Sequence, residues 1–261
     1  MKALGKLKEI NLVLMFLLLF LVSSCSARQS PTAAAQSFYD EGSAFLLADD
    51  YENAVASFSK AIELDPQMAV AFVDRGVAYE RLGEYEQALA DFNHAIQINP
   101  DSSDAYFNRA VALFKLERLE EALNDYAKVA ELDPSQVYAY INRADIYFTL
   151  QDFEQAVQEA TRAIEIDAQA SDAYALRATA LGRLARFQEA FADYDKALML
   201  NPQNFELYLN RAIDYAVSGQ LELALQDAEK YLELNPDTPN RARVEVFIQQ
   251  LKDDIIAGRW Y

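Results

Sequence analysis

The chain holds a single cysteine, Cys25, and a single histidine, His94, among its 261 residues. No intramolecular disulfide can form, and no Cys/His set for zinc or iron can be assembled. His94 has no cysteine, second histidine or glycine-rich phosphate loop beside it, so an enzyme would lack a mechanism. No cofactor and no metal are expected, and the chain is read as non-enzymatic. Positive charge is scarce as well: 23 Lys and Arg stand against 41 Asp and Glu, for a formal charge of −18. A body this acidic repels phosphate backbones, which argues against nucleic acid, and repels anionic lipid unless it is tethered. What the chain does have is apolar surface: 52% of its residues are hydrophobic, ample for a folded body.

Only one long apolar run exists, from Leu12 to Val22, behind a start carrying Lys2, Lys6 and Lys8. Eleven helical residues reach roughly 16 Å, about half of a ~30 Å hydrocarbon core, so the run reads as a signal-peptide core and not a span. It ends in Val22-Ser23-Ser24-Cys25. Here the chain resembles a bacterial lipoprotein signal, in which small residues precede a cysteine that receives lipid and becomes the mature N-terminus. The alternative is an ordinary secretory signal with an incidental cysteine. The resemblance implies a signal peptide over 1–24, lipidation of Cys25, and a short tether over 25–34. Acyl chains would hold the protein on a membrane without a crossing helix. Ser26 is not the aspartate linked in that family to inner-membrane retention. This favours the outer membrane facing the periplasm in a two-membrane bacterium, and otherwise the outer face of the cytoplasmic membrane.

Beyond the tether a phrase recurs. Ala105-Tyr106-Phe107-Asn108-Arg109-Ala110 returns as Ala139-Tyr140-Ile141-Asn142-Arg143-Ala144 and as Leu207-Tyr208-Leu209-Asn210-Arg211-Ala212. The first two copies are 34 residues apart and the third lies two periods on, the mark of a repeat array. Six copies begin at Ala35, Ala69, Ser103, Val137, Ser171 and Phe205, and the last ends at Thr238. Position 20 of every copy is alanine, from Ala54 to Ala224, and position 8 is glycine or alanine. Small residues at fixed sites let two helices approach closely. Phe38, Phe72, Tyr106, Tyr140, Tyr174 and Tyr208 fill position 4, and Phe58, Phe92, Tyr126 and Tyr194 fill position 24 in four copies. Proline at position 32 ends the second helix in five copies, with Ala168 in the fourth.

These columns resemble the tetratricopeptide repeat. The resemblance implies an all-α fold: a right-handed superhelical solenoid of six helix-turn-helix repeats over 35–238. Residues 239–261 are expected to form a C-terminal cap, because Val244, Phe247, Ile248, Leu251 and Ile255 fall at helical spacing opposite Gln249, Gln250, Lys252 and Asp253. Gly258 reads as its stop, and Trp260-Tyr261 as aromatics folded onto the cap.

Two faces of the first helix then separate. Arginine at position 7 (Arg75, Arg109, Arg143, Arg177 and Arg211) occurs in the same copies as a carboxylate at position 23 (Asp91, Asp125, Glu159, Asp193 and Asp227). The first copy lacks both, with Glu41 and Ser57. Presence and absence together point to internal ion pairs and away from an anion-binding ladder. Positions 2, 5, 6, 9, 12 and 13 share the other face, which lines the concave groove in tetratricopeptide proteins. Asn108, Asn142 and Asn210 stand there at position 6, and a side-chain amide can both donate to and accept from a peptide backbone. A partial asparagine ladder resembles the one by which some members of the family hold extended peptides. Phe107, Phe114, Tyr138, Ile141 and Phe148 lie beside it as binding anchors. The alternative is that they pack against neighbouring first helices or shield a self-association contact.

The basic residues of the family's carboxylate clamp are missing. Asp104, Asp145, Asp172 and Glu206 favour apolar and basic ligands, with Arg81, Lys115 and Arg183 at the groove edge. The expected function is an interaction scaffold of the bacterial cell envelope that binds an extended peptide or partner protein. The alternative is a pilotin-like assembly factor escorting an outer-membrane, pilus or secretion subunit. The sequence leaves the oligomeric state open.

Overall fold

The computed structural model describes residues 31–258. The expected signal peptide, Cys25 and Trp260-Tyr261 lie outside the described residues. Thirteen α-helices and no strands occur among the described residues. The first unit, ending at Ile98, contains α1 (Pro31–Leu47), α2 (Tyr51–Leu64), α3 (Ala69–Arg81) and α4 (Tyr85–Ile98). The second, beginning at Asn99, contains four more pairs and a last helix. Its pairs are α5 (Ser103–Lys115) with α6 (Leu119–Leu132), α7 (Val137–Thr149) with α8 (Phe153–Ile166), α9 (Ser171–Arg183) with α10 (Phe187–Leu200), and α11 (Phe205–Val217) with α12 (Leu221–Leu234). The last helix is α13 (Arg241–Ile256). Helix α1 reaches back to Pro31, so four residues expected as tether continue the first helix. Proline suits that first helical position because its missing N–H would be unpaired there anyway.

The small-residue columns are where the helices meet. All six alanines at position 20 and the alanines at position 8 are completely buried. Against them Phe58, Phe92, Tyr126 and Tyr194 are buried almost without remainder. Truncating one of these rings to alanine would cost about 3–5 kcal/mol in transfer and cavity terms. The two copies with alanine at position 24 place their bulk elsewhere. The sixth buries Tyr231 at position 27, beside Phe205. The fourth buries Ile146 where Ala78, Ala112 and Ala180 stand in other copies.

Both turns of the repeat owe their shape to the backbone more than to glycine or proline. At position 15 the chain turns left-handed in every copy: Asp49, Gly83, Glu117, Gln151, Ala185 and Gly219 all have φ between 56° and 81°. The next N–H then bonds back to the carbonyl five residues earlier, as in Glu84 N to Tyr79 O at 2.8 Å, which closes the first helix. At position 31 an aspartate or asparagine side chain accepts from the N–H two residues on in five copies. Asp167 does so at 2.8 Å although Ala168 replaces the proline, so proline is not what defines this turn. A side-chain-to-backbone turn of this kind stops a helix on its own.

The cap behaves as its spacing indicates. Helix α13 buries Val244 and Leu251, half-buries Phe247, Ile248 and Ile255, and packs on α12. Gln249, Gln250 and Asp253 are exposed, and Lys252 pairs with Glu229 at 2.9 Å. Gly258, at φ 60°, follows its end.

Candidate functional site

The arginines of position 7 face inward. Arg75, Arg109, Arg177 and Arg211 each grip their carboxylate with two parallel bonds of 2.6–2.9 Å, from Nε and Nη2 to Asp91, Asp125, Asp193 and Asp227. The four aspartates are buried. These partners hold each guanidinium above its ordinary value; for Arg211 the largest single influence is desolvation, which lowers it, and the hydrogen bond and charges around it together outweigh that. Nη1 reaches across to position 25 of the preceding repeat, to Ser59 from Arg75 and Thr161 from Arg177. In the first copy the polarity reverses: the Ser57 hydroxyl donates to Glu41 at 3.0 Å. The four arginines are committed to helix register by their aspartates. A cavity of about 310 Å³ beside them, lined by Val157, Thr161, Arg177, Leu181, Arg186 and Glu189 among others, has its arginines paired with Asp193 and Glu189.

The remaining face of α5, α7, α9 and α11 carries the residues singled out for binding. They are unequal. Tyr138 is 59% exposed, the most open of the candidate aromatics. Phe107 sits edge-on to Tyr126 at 5.6 Å and Phe148 edge-on to Phe153 at 5.3 Å, so each is half-committed to packing. Ile141 and Phe114 are half-buried. The Asn108 amide donates to the Asp104 carbonyl of its own helix at 2.9 Å. Asn142 donates to the Tyr126 hydroxyl at 2.9 Å, which fixes its amide and leaves the side-chain oxygen as acceptor. Asn210 makes no hydrogen bond among the described residues. A ladder of three equivalent amides is therefore not what the fold displays.

Between the third and fourth repeats this face sinks into a cavity of about 180 Å³. Val111, Phe114 and Lys115 come from α5, Tyr126 from α6, and Asn142 and Asp145 from α7. Two of the residues expected to bind, Phe114 and Asn142, meet here. Partial desolvation raises the Asp145 carboxyl above its ordinary value, with Lys115 pulling it down.

A second polar cluster is not foreshadowed by the repeat columns. Asp214 of α11 accepts from the Tyr194 hydroxyl at 3.0 Å and packs where a side chain on Gly182 would collide with it. Burial raises the Asp214 carboxyl, and burial beside it raises the Tyr194 phenol. A signal was present all the same: Asp214 is the one charged residue at position 10, otherwise Ala or Ile, and Gly182 the one glycine at position 12.

No helix among the described residues is long and apolar enough to cross a membrane, and none of their His, Cys, Asp and Glu form a metal-binding group. His94 is exposed on α4, against the Phe72 ring.

Tetratricopeptide repeat models match residues 42–112, 103–136, 137–169 and 171–204. Together they span well over half of the chain, which belongs to the tetratricopeptide repeat family, with six repeats followed by a capping helix. A comparison with curated proteins returned no match. Among solved structures, pilF of Pseudomonas aeruginosa is similar with a TM-score of 0.71 at 18% identity, over 87% of this chain and 100% of that one. A tetratricopeptide repeat protein from Parabacteroides merdae gives 0.70 at 21%, over 84% and 89%. YrrB, a tetratricopeptide protein with an unusual peptide-binding site, gives 0.62 at 19%, over 74% and 97%. Likeness at these identities establishes the fold.

Proposed function

We propose that the chain is a non-enzymatic interaction scaffold that holds an extended peptide segment of a partner protein against the first helices of repeats three to six. The carrying observation is the division of labour on those helices. One side is spent on paired arginines and buried rings. The other keeps an open Tyr138, an Asn210 amide with no partner among the described residues, and the cavity at Asn142. Apolar anchors beside amides that can read a backbone are what an extended segment requires. The test is binding by the purified chain of peptides displayed from its own organism's secreted proteins. Tyr138→Ala should weaken capture while leaving the helical content intact; capture unchanged by Tyr138→Ala combined with Asn210→Ala would rule the reading out.

The anchoring proposal rests on the apolar run that ends in Val22-Ser23-Ser24-Cys25, and on Ser26. It places the scaffold on the outer membrane facing the periplasm, or on the outer face of a single membrane, through lipid on that cysteine. Cys25→Ser should move the protein from the membrane fraction to the soluble one. The escort reading, a pilotin-like assembly factor, differs in outcome: deletion would abolish a pilus or secretin, where a recruiting scaffold would leave both assembled.

A further inference from the structure

The cavity between the third and fourth repeats has a chemistry of its own. Val111, Phe114 and the ring of Tyr126 give it an apolar wall. Its polar members are two acceptors and one cation: the Asn142 side-chain oxygen, the Asp145 carboxylate and Lys115. One Asn142 N–H is used on Tyr126, which orients the amide and leaves its oxygen to accept from a ligand. Asp145 forms no hydrogen bond or ion pair among the described residues, and Lys115, exposed at the last turn of α5, does not close on it. An unpaired carboxylate beside an apolar wall is attractive to an incoming donor. Further along the same face stand Asp104, Asp172 and Glu206, all exposed.

Resting on the groove reading above, we propose that this cavity receives an arginine side chain of the bound segment, with Asp145 and Asn142 accepting from its guanidinium. A lysine ammonium is a strongly hydrated point charge, costly to strip of water against an apolar wall. A guanidinium is planar and weakly hydrated, can lie against Phe114 and Tyr126, and spreads five donors over two acceptors. Its alkyl stem suits the Val111 and Phe114 wall. The partner is thus an extended segment carrying an arginine among apolar residues.

The test uses five pools of synthetic nonapeptides whose central residue is Arg, Lys, citrulline, Leu or Glu and whose flanks are randomised, retained on the full chain. The Arg pool should exceed the citrulline pool by roughly tenfold, the scale of one charge-assisted bond. Asp145→Asn, an isosteric change at an open position, should bring the two pools level and leave the Leu pool unchanged. An Arg pool no better than citrulline, a preferred Lys or Glu pool, or an Arg preference that survives Asp145→Asn overturns the assignment. If those pools still depend on Tyr138, the groove reading survives it. If no pool is retained, or none responds to Tyr138→Ala, the groove reading falls and the cavity assignment with it.

Discussion

Arg143 and Glu159 touch through one bond, Nη2 to Oε1 at 2.9 Å, where the other four pairs of the ladder touch through two. Arg143 Nε and Glu159 Oε2 are both buried without a partner. Position 23 holds aspartate in the other four pairs, and the extra methylene of glutamate slides the carboxylate out of register. Ala127 also stands at position 25, where Ser59 and Thr161 accept from the arginine of the following repeat. Among the five copies with an ion pair, the fourth is therefore the least firmly tied. Glu159→Asp should restore the two-point contact and stabilise the chain by about 1–2 kcal/mol, since each buried polar atom left unpaired costs about that much. Equilibrium denaturation in urea measures it.

In the other four pairs the aspartate is buried, so removing its arginine strands a charge. Arg109→Ala should cost about 3–5 kcal/mol and melt the chain well below wild type. Arg118→Ala, which breaks the exposed pair with Glu121, should leave the melting temperature unchanged. Equal effects from the two substitutions would remove the ladder from its structural role.

Position 15 offers a gain. Ala185 holds φ 56°, a left-handed conformation that costs an L-residue with a Cβ about 1–2 kcal/mol and glycine little. Ala185→Gly should raise stability by up to about 1 kcal/mol once the greater unfolded freedom of glycine is counted. The same change at Ala180, inside α9, should lower it. Thermal melts of the two variants beside wild type measure both.

A pH dependence follows from Asp214. Burial raises its carboxyl above the ordinary value of 3.8, so the native state holds this proton more tightly than the unfolded chain does. Stability from this group is then present at low pH and is lost as pH rises from about 4 through the raised value. Asp214→Asn keeps an acceptor for Tyr194 and removes the titration. The variant should equal or exceed wild type at pH 7, with the difference shrinking toward pH 4. A difference that grows on acidification would reverse the assigned sign.

The repeat frame was legible because its columns recur: an alanine at the same position of all six copies sets period and phase together. The ion pairs were legible for a related reason, since Arg and carboxylate come and go together across copies. Position 15 was not, because four of its six residues are not glycine and conformation there is imposed by the helix ends. The states of Asn108 and Asn142 were not either. One bonds to its own helix and the other to Tyr126, a choice made by side-chain geometry that no spacing encodes. Gly182 and Asp214 make sense only when seen together, because the space that the one leaves open is filled by the carboxylate of the other, one repeat on.

On the proposed groove reading the partner is held on the face bearing Tyr138, and not on the exposed second-helix surface bearing His94. A photo-crosslinking amino acid placed at Tyr138 or at His94 in living cells tests this directly. A discrete adduct is expected from Tyr138, lost when Asn142 and Asn210 are both changed to alanine, and none from His94. Adducts of the same partner from His94, or an adduct at Tyr138 that survives the double change, would contradict it.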